Sequence, residues 1–174
     1  MSRSKFVAPP YAGPVWWKAA LFLAVALLVQ VDVLHFTIFR NAELSVVFVV
    51  VVWYATHADV PRAAVFGLIA GLCEDLLSAH TGAAFALSTM LAAAATGTLS
   101  SAFFADSVPL GFLVMFLATL VRNALFWSIM ALAGYPAGFA RVHFHQTAWQ
   151  ALLNALCLSA AMLLLRARES FVSR

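Results

Sequence analysis

Two adjacent carboxylates, Glu74 and Asp75, stand in the stretch GLCEDLLSAHTG, from Gly71 to Gly82, in a chain with few other charges. Two acids side by side could share general acid and base roles, hold a cation, or pair with a buried base. Adjacent helical residues point about 100° apart, so this pair cannot face one substrate together. Gly67, Gly71 and Asp75 fall at i, i+4 and i+8, a single helical stripe, which turns Asp75 to the interior. Glu74 is then expected at the outer interface or against another helix. The remaining polar groups inside apolar runs are Asp32 and Arg122, with Gln30, His35, Asn123, Gln150 and Asn154 as uncharged company. The HFH at His143 to His145 lacks a third ligand at metal-binding spacing, and an interfacial loop accounts for it. Because no nucleophile elbow, phosphate loop or HExxH pattern occurs, neither catalysis nor a cofactor or metal site is expected.

The elements that must position these residues are read from composition. Of 174 residues, 64% are hydrophobic and 10% charged, and the mean hydropathy is +0.97. Soluble domains carry about a quarter charged residues, so the sequence predicts an all-α polytopic membrane protein. A crossing helix needs about 20 residues, and Gly, Pro and charge mark where apolar runs stop. On that basis six transmembrane helices are expected: Val15 to Phe39, Leu44 to Ala55, Pro61 to Ala79, Ala83 to Phe104, Val108 to Leu132 and Thr147 to Leu165. They form one domain over residues 15–165, between an N-terminal tail of 1–14 and a basic C-terminal tail of 166–174. The first run is too long for a signal peptide and no small-residue cleavage site follows it, so it reads as a retained anchor.

Basic residues set the orientation. With the N-terminus inside, Arg3, Lys5, Lys18, Arg62, Arg166, Arg168 and Arg174 lie on the cytoplasmic side, and only Arg40 and Arg141 outside. That bias predicts both termini in the cytoplasm. The basic residues sit at the ends of apolar runs and form no patch, so nucleic acid is not an expected partner. Cys73 and Cys157, isolated in apolar segments, read as buried and unreactive.

Counting about 1.5 Å of rise per residue from the cytoplasmic border places Asp32, Asp75 and Arg122 at similar depths, roughly 20 to 24 Å up. They are expected to meet in one layer of the outer half, with Asp75 paired to Arg122 so that neither charge is left alone in the bilayer. Such a layer could lock helix register, or contribute to a proton or ion relay, although a relay needs titratable groups along a whole path and the inner half offers none. GLIAG, from Gly67 to Gly71, fits the small-residue pattern of close helix packing, and Ala93, Gly97 and Ser101 make a similar stripe on the fourth helix. Gly82 is expected to turn the chain back into that helix.

The stretch GLIAGLCEDLLSAHTGAAFALS resembles the signature region of the rod shape-determining membrane protein MreD family, which has a Gly-rich helix, a DLLSG-like turn, and then a Gly and a small-residue helix. Asp75, Leu76, Leu77 and Ser78 match the turn, and Gly82 matches the following Gly. Asn41 to Ala55 looks like the family's second helix, and Leu152 to Arg168 like its last, with a basic end. Ala42-Glu43 stands where the family often has Pro-Asp, and Ala79 where it often has Gly. The resemblance implies a fold similar to the substrate-binding subunits of energy-coupling-factor transporters, with six helices around a central cavity. It also implies a non-enzymatic component of the bacterial inner membrane that partners MreC, and indirectly MreB, RodA and a class B penicillin-binding protein, in side-wall peptidoglycan synthesis.

Two functions follow as expectations. One is an assembly protein that presents its helices to an MreC-like single-pass partner and to membrane lipid. The other is the binding subunit of a small-molecule, vitamin-type transporter, with Asp32, Asp75 and Arg122 as the floor of a pocket open to the periplasm.

Overall fold

The run VVFVVVVWYATH favours strand by propensity, yet it is the helix α2, Val46–His57. Ser45 caps its N-terminus, the Oγ accepting from the Phe48 amide at 3.3 Å, and the helix then satisfies its own backbone. That is the arrangement open to a β-branched segment with no water to bond its amides. The other helices of the computed structural model, which describes residues 15–32, 42–78, 81–102, 107–135 and 140–172, are α1 (Trp16–Asp32), α3 (Val60–Leu77), α4 (Ala84–Ala102), α5 (Val108–Leu132) and α6 (Ala140–Val172). Among the described residues there is no strand.

α2 is the centre of the bundle and touches every other helix. Its Val47, Phe48, Val49, Val51, Val52, Tyr54 and Ala55 are buried. Its 12 residues reach only about 18 Å; its N-terminal end, at Ser45, Val47 and Phe48, is buried, and its last residue, His57, is exposed. At its C-terminal end Tyr54 packs on Phe66 of α3 with ring centroids 4.3 Å apart. Trp16 of α1 closes on both rings at 5.9 Å.

The fifth helix has the bounds expected from sequence, Val108–Leu132, and α3 and α4 lie within a few residues of theirs. The sixth differs most. It runs from Ala140 to Val172, 33 residues, where Thr147 to Leu165 was expected. No Gly or Pro interrupts that span, so its polar ends continue the helix, and the basic tail at Arg166 and Arg168 is helical. The part of the first run beyond Asp32 lies outside the described residues, as do Ala79 and His80.

α5 over Val108–Leu132 and α6 over His143–Arg168 are long and apolar enough to cross a membrane; α2 and Ala84–Ser100 are apolar but shorter. Many large apolar side chains face outward, including Leu21, Phe22, Val25 and Leu28 on α1, Leu76 and Leu77 at the end of α3, and Leu163 to Leu165 on α6. An apolar exterior of this extent suits lipid or a protein partner.

α3 and α4 make the most extensive helix pair. A β-carbon on Gly67 would lie 2.7 Å from the Ala93 Cβ and 2.8 Å from the Thr89 carbonyl oxygen; one on Gly71 would lie 2.5 to 2.8 Å from the backbone of Phe85 and Ala86. The small-residue stripe is therefore a contact inside the bundle. Gly71→Ala is expected to push α4 away and destabilise the protein by about 2 kcal/mol. Gly97→Ala, whose new carbon would meet its neighbours at 3.4 to 3.6 Å, should be nearly neutral. Equilibrium unfolding in mixed dodecyl maltoside and SDS micelles checks both, and equal losses would refute the contrast.

Candidate functional site

Two helices start inside the bundle, and the first amides of any helix have no partner within it. At α2, the Ser45 amide donates to Asn154 Oδ1 at 3.0 Å and the Val47 amide to Gln30 Oε1 at 3.1 Å. At α4, Asp75 reaches across from α3. Its Oδ1 accepts from the Phe85 amide at 3.1 Å and from Thr81 Oγ1 at 2.8 Å, and its Oδ2 accepts from the Ala86 amide at 2.8 Å. Asp75 is thus an N-cap supplied by a neighbouring helix, possible because Gly71, one turn earlier, lets the two backbones approach. Gly82, at φ +60°, makes the turn between α3 and α4 in the left-handed region that glycine enters without strain.

Arg122 of α5 joins the two helix ends. Its Nη2 donates to Glu74 Oε2 in a charged hydrogen bond, its Nε to Thr89 Oγ1 at 3.0 Å and its Nη1 to Ser45 Oγ at 3.3 Å. The guanidinium lies between the rings of Phe48 and Phe85, 4.7 and 5.1 Å from their centroids. Arg122, Glu74, Ser45, Thr89 and Asn154 are all buried. Asn154 also donates to Thr119 Oγ1 at 3.3 Å. Two carboxylates and one guanidinium leave one negative charge, and each helix N-terminus carries roughly half a positive charge, so the layer is close to neutral overall.

A polar layer is present, but it is not the expected meeting of Asp32, Asp75 and Arg122. Arg122 pairs with Glu74, not Asp75, and of the two places expected for Glu74, the outer interface or another helix, it takes the second, buried against α5. The signal was present in α3, where Ala63, Phe66, Gly67, Ala70, Gly71 and Glu74 are all buried. That stripe advances by threes and fours and ends on Glu74, whereas a stripe of fours alone ends on Asp75. The 100° between the two acids directs one at α5 and the other at α4. Asp32 does not join them, because it is exposed at the last residue of α1. The pocket floor expected from Asp32, Asp75 and Arg122 is therefore not formed, and His35 lies outside the described residues. The hydroxyls of Ser45, Thr81, Thr89 and Thr119 were not singled out, since Ser and Thr in apolar helices commonly bond their own backbone, as Thr119 does to the Met115 carbonyl at 2.9 Å.

Beside this layer is an open cavity of 570 Å³ between the end of α5 and the start of α6, reaching Thr81 and Phe85. Asn123 crosses from α5 to α6, its Nδ2 donating to Gln150 Oε1 at 2.6 Å and to Thr147 Oγ1 at 3.3 Å. HFH is in the first turns of α6, not in a loop, and the His143 ring packs on Trp127 with centroids 4.0 Å apart. Cys73 and Cys157 are free and half-buried.

What the layer does physically is satisfy the first amides of α2 and α4. Asn154→Ala would leave the Ser45 amide without an acceptor and should cost about 1 to 2 kcal/mol; Asn154→Asp, which keeps an acceptor oxygen, should cost less. The same micellar unfolding measurement checks the order, and an Asn154→Ala protein as stable as wild type would refute the role. No protein-family model, curated protein or solved structure matches the chain.

Proposed function

We propose that this chain is an MreD-like, non-enzymatic assembly protein of the bacterial inner membrane, with six crossings and both termini cytoplasmic. On this reading it binds an MreC-like single-pass partner and, through it, acts with MreB, RodA and a class B penicillin-binding protein in side-wall synthesis. The observation that carries the reading is the use made of the family-like stretch. Glu74 and Asp75 are both engaged in holding helices together, while Leu76 and Leu77, between Asp75 and Ser78, face outward. A turn of this kind fixes a bundle end and offers two leucines beside it, which suits a scaffold more than a reaction centre.

α2 and α4 are short for a bilayer about 30 Å thick, but α2 is enclosed by the other helices and needs no lipid contact along its length. With both termini cytoplasmic, as the charge bias of the ends favours, the layer and the cavity would face the periplasm. Co-purification tests the proposal. The tagged chain, extracted in dodecyl maltoside, is expected to retain a single-pass protein with a periplasmic coiled-coil stalk, and Leu76→Ala/Leu77→Ala to retain several-fold less with unchanged elution of its own. Recovery of the chain alone from cells producing such a partner would refute the assembly reading.

A further inference from the structure

We infer that the cavity between α5 and α6 binds a neutral, planar heteroaromatic molecule bearing hydrogen-bond donors and acceptors on one edge. Its volume of 570 Å³ falls in the range of small-molecule sites, about 300 to 1,000 Å³. Its walls are aromatic. Phe85 stacks on Phe126 at 4.4 Å, Trp127 packs edge-on to Phe126 at 5.4 Å, and Tyr135 stands near Trp127 at 6.5 Å. Arg122 lies over Phe85 and the His143 ring packs on Trp127, so a flat guest packs against the edges and remaining faces of these rings, at little cost in side-chain freedom.

Charge narrows the guest further. The cation in the lining, Arg122, is already matched by Glu74 and engaged with Ser45 and Thr89. Glu43 is exposed at the rim. Among the described residues of the lining, an anion would meet one matched guanidinium and the His143 ring, and would face that carboxylate. Polarity comes from amides instead. In the Asn123 to Gln150 bond, Asn123 supplies an N–H and Gln150 its carbonyl; an amide side chain has both kinds of group. Among the described residues, the Asn123 carbonyl and the Gln150 amino group have no further hydrogen bond. One acceptor and one donor, held side by side by their mutual bond, match the edge of an amide-containing heterocycle. An acyl chain would leave them both unpaired. This inference goes beyond the assembly reading and stands or falls separately from it.

The test uses the full chain in dodecyl maltoside and calorimetric titration with lumichrome, a neutral tricycle with an imide edge. Anthraquinone-2-sulfonate, equally flat but anionic, and naphthalene, flat without a polar edge, serve as comparators. Lumichrome is expected to bind saturably at about 0.1 mM or tighter, and each comparator at least tenfold more weakly. Gln150→Leu and Trp127→Ala should each weaken lumichrome at least tenfold; Gln146→Leu, at the half-buried rim, gives a second variant with little demand on folding. Co-purification with the partner protein should be unchanged in all three. Binding weaker than about 1 mM, or binding that these variants leave unaltered because the probe only partitions into micelles, would overturn the inference. So would native mass spectrometry showing a phospholipid in the cavity that lumichrome fails to displace.

Discussion

Glu74→Ala is expected to cost about 4 kcal/mol of bundle stability, the typical penalty for removing one member of a buried ion pair. Most of that penalty comes from what is left behind. Arg122 would stay charged between Phe48 and Phe85 with only the hydroxyls of Thr89 and Ser45 as acceptors. Arg122→Ala should do comparable damage by stranding Glu74. The double substitution Glu74→Leu/Arg122→Met removes both charges at similar volume, and buried pairs replaced in this way often lose little or gain. Its stability should therefore lie well above that of either single variant. Ser45 keeps another role there, since its Oγ still accepts from the Phe48 amide. Unfolding in mixed micelles gives the three values and the coupling energy between them. A Glu74→Ala protein within about 1 kcal/mol of wild type would show that the pair contributes little.

The existence and order of the helices were legible from apolar runs broken by Gly, Pro and charge, because in lipid a run long enough to cross must bond its own backbone. Rise per residue brought Asp75 and Arg122 to one level, and both are found near the start of α4, Asp75 on the Phe85 amide and Arg122 on Thr89. The partner of Arg122 was not legible. Choosing between Glu74 and Asp75 requires knowing which neighbour lies on which side of α3, and periodicity along one helix carries no such information. Glu74 is one methylene longer and points to α5; Asp75 is shorter and sits where α4 begins, close enough for a carboxylate to meet two amides. Asp32 failed for a related reason. Counting along α1 does not specify direction around it, and the side chain faces outward. The early start of α6 was hidden because HFH and Arg141 look like a loop by polarity, although the sequence contains nothing to break a helix there.

The shortness of α2 gives a reason for the polar layer that sequence order conceals. A central helix of 12 residues starts inside the bundle, and its first amides must be met by side chains. Gln30, Ser45 and Asn154 come from α1, the entry to α2 and α6, respectively, to do so. Arg122 then touches Ser45 at one helix end and, through Phe85 and Thr89, packs beside the other. Three of the charges that looked like a possible site are thus a consequence of where helices stop.

Asp75→Ala follows from the same physics and is expected to cost about 3 kcal/mol, through loss of charge-assisted bonds to the Phe85 and Ala86 amides and to the Thr81 hydroxyl. The helix dipole adds to this, since a carboxylate at the N-terminus of α4 is favourable and alanine is not. Asp75→Asn separates the two contributions. It retains one acceptor oxygen and loses the charge and one amide partner, so it should cost about 1 kcal/mol, in the range of a weakened helix cap. Asp75→Glu should be worse than Asn despite keeping the charge, because the longer chain must fit where Gly71 holds α3 against the backbone of Phe85 and Ala86. In a cycle with Arg122→Ala, Asp75→Ala should show a smaller interaction energy than Glu74→Ala does, as its partners are amides and a hydroxyl and not the guanidinium. Hydrogen exchange gives a local readout, with faster exchange at the first turn of α4 in Asp75→Ala and unchanged exchange at α2. A larger coupling of Arg122 to Asp75 than to Glu74 would reverse the assignment of the two acids.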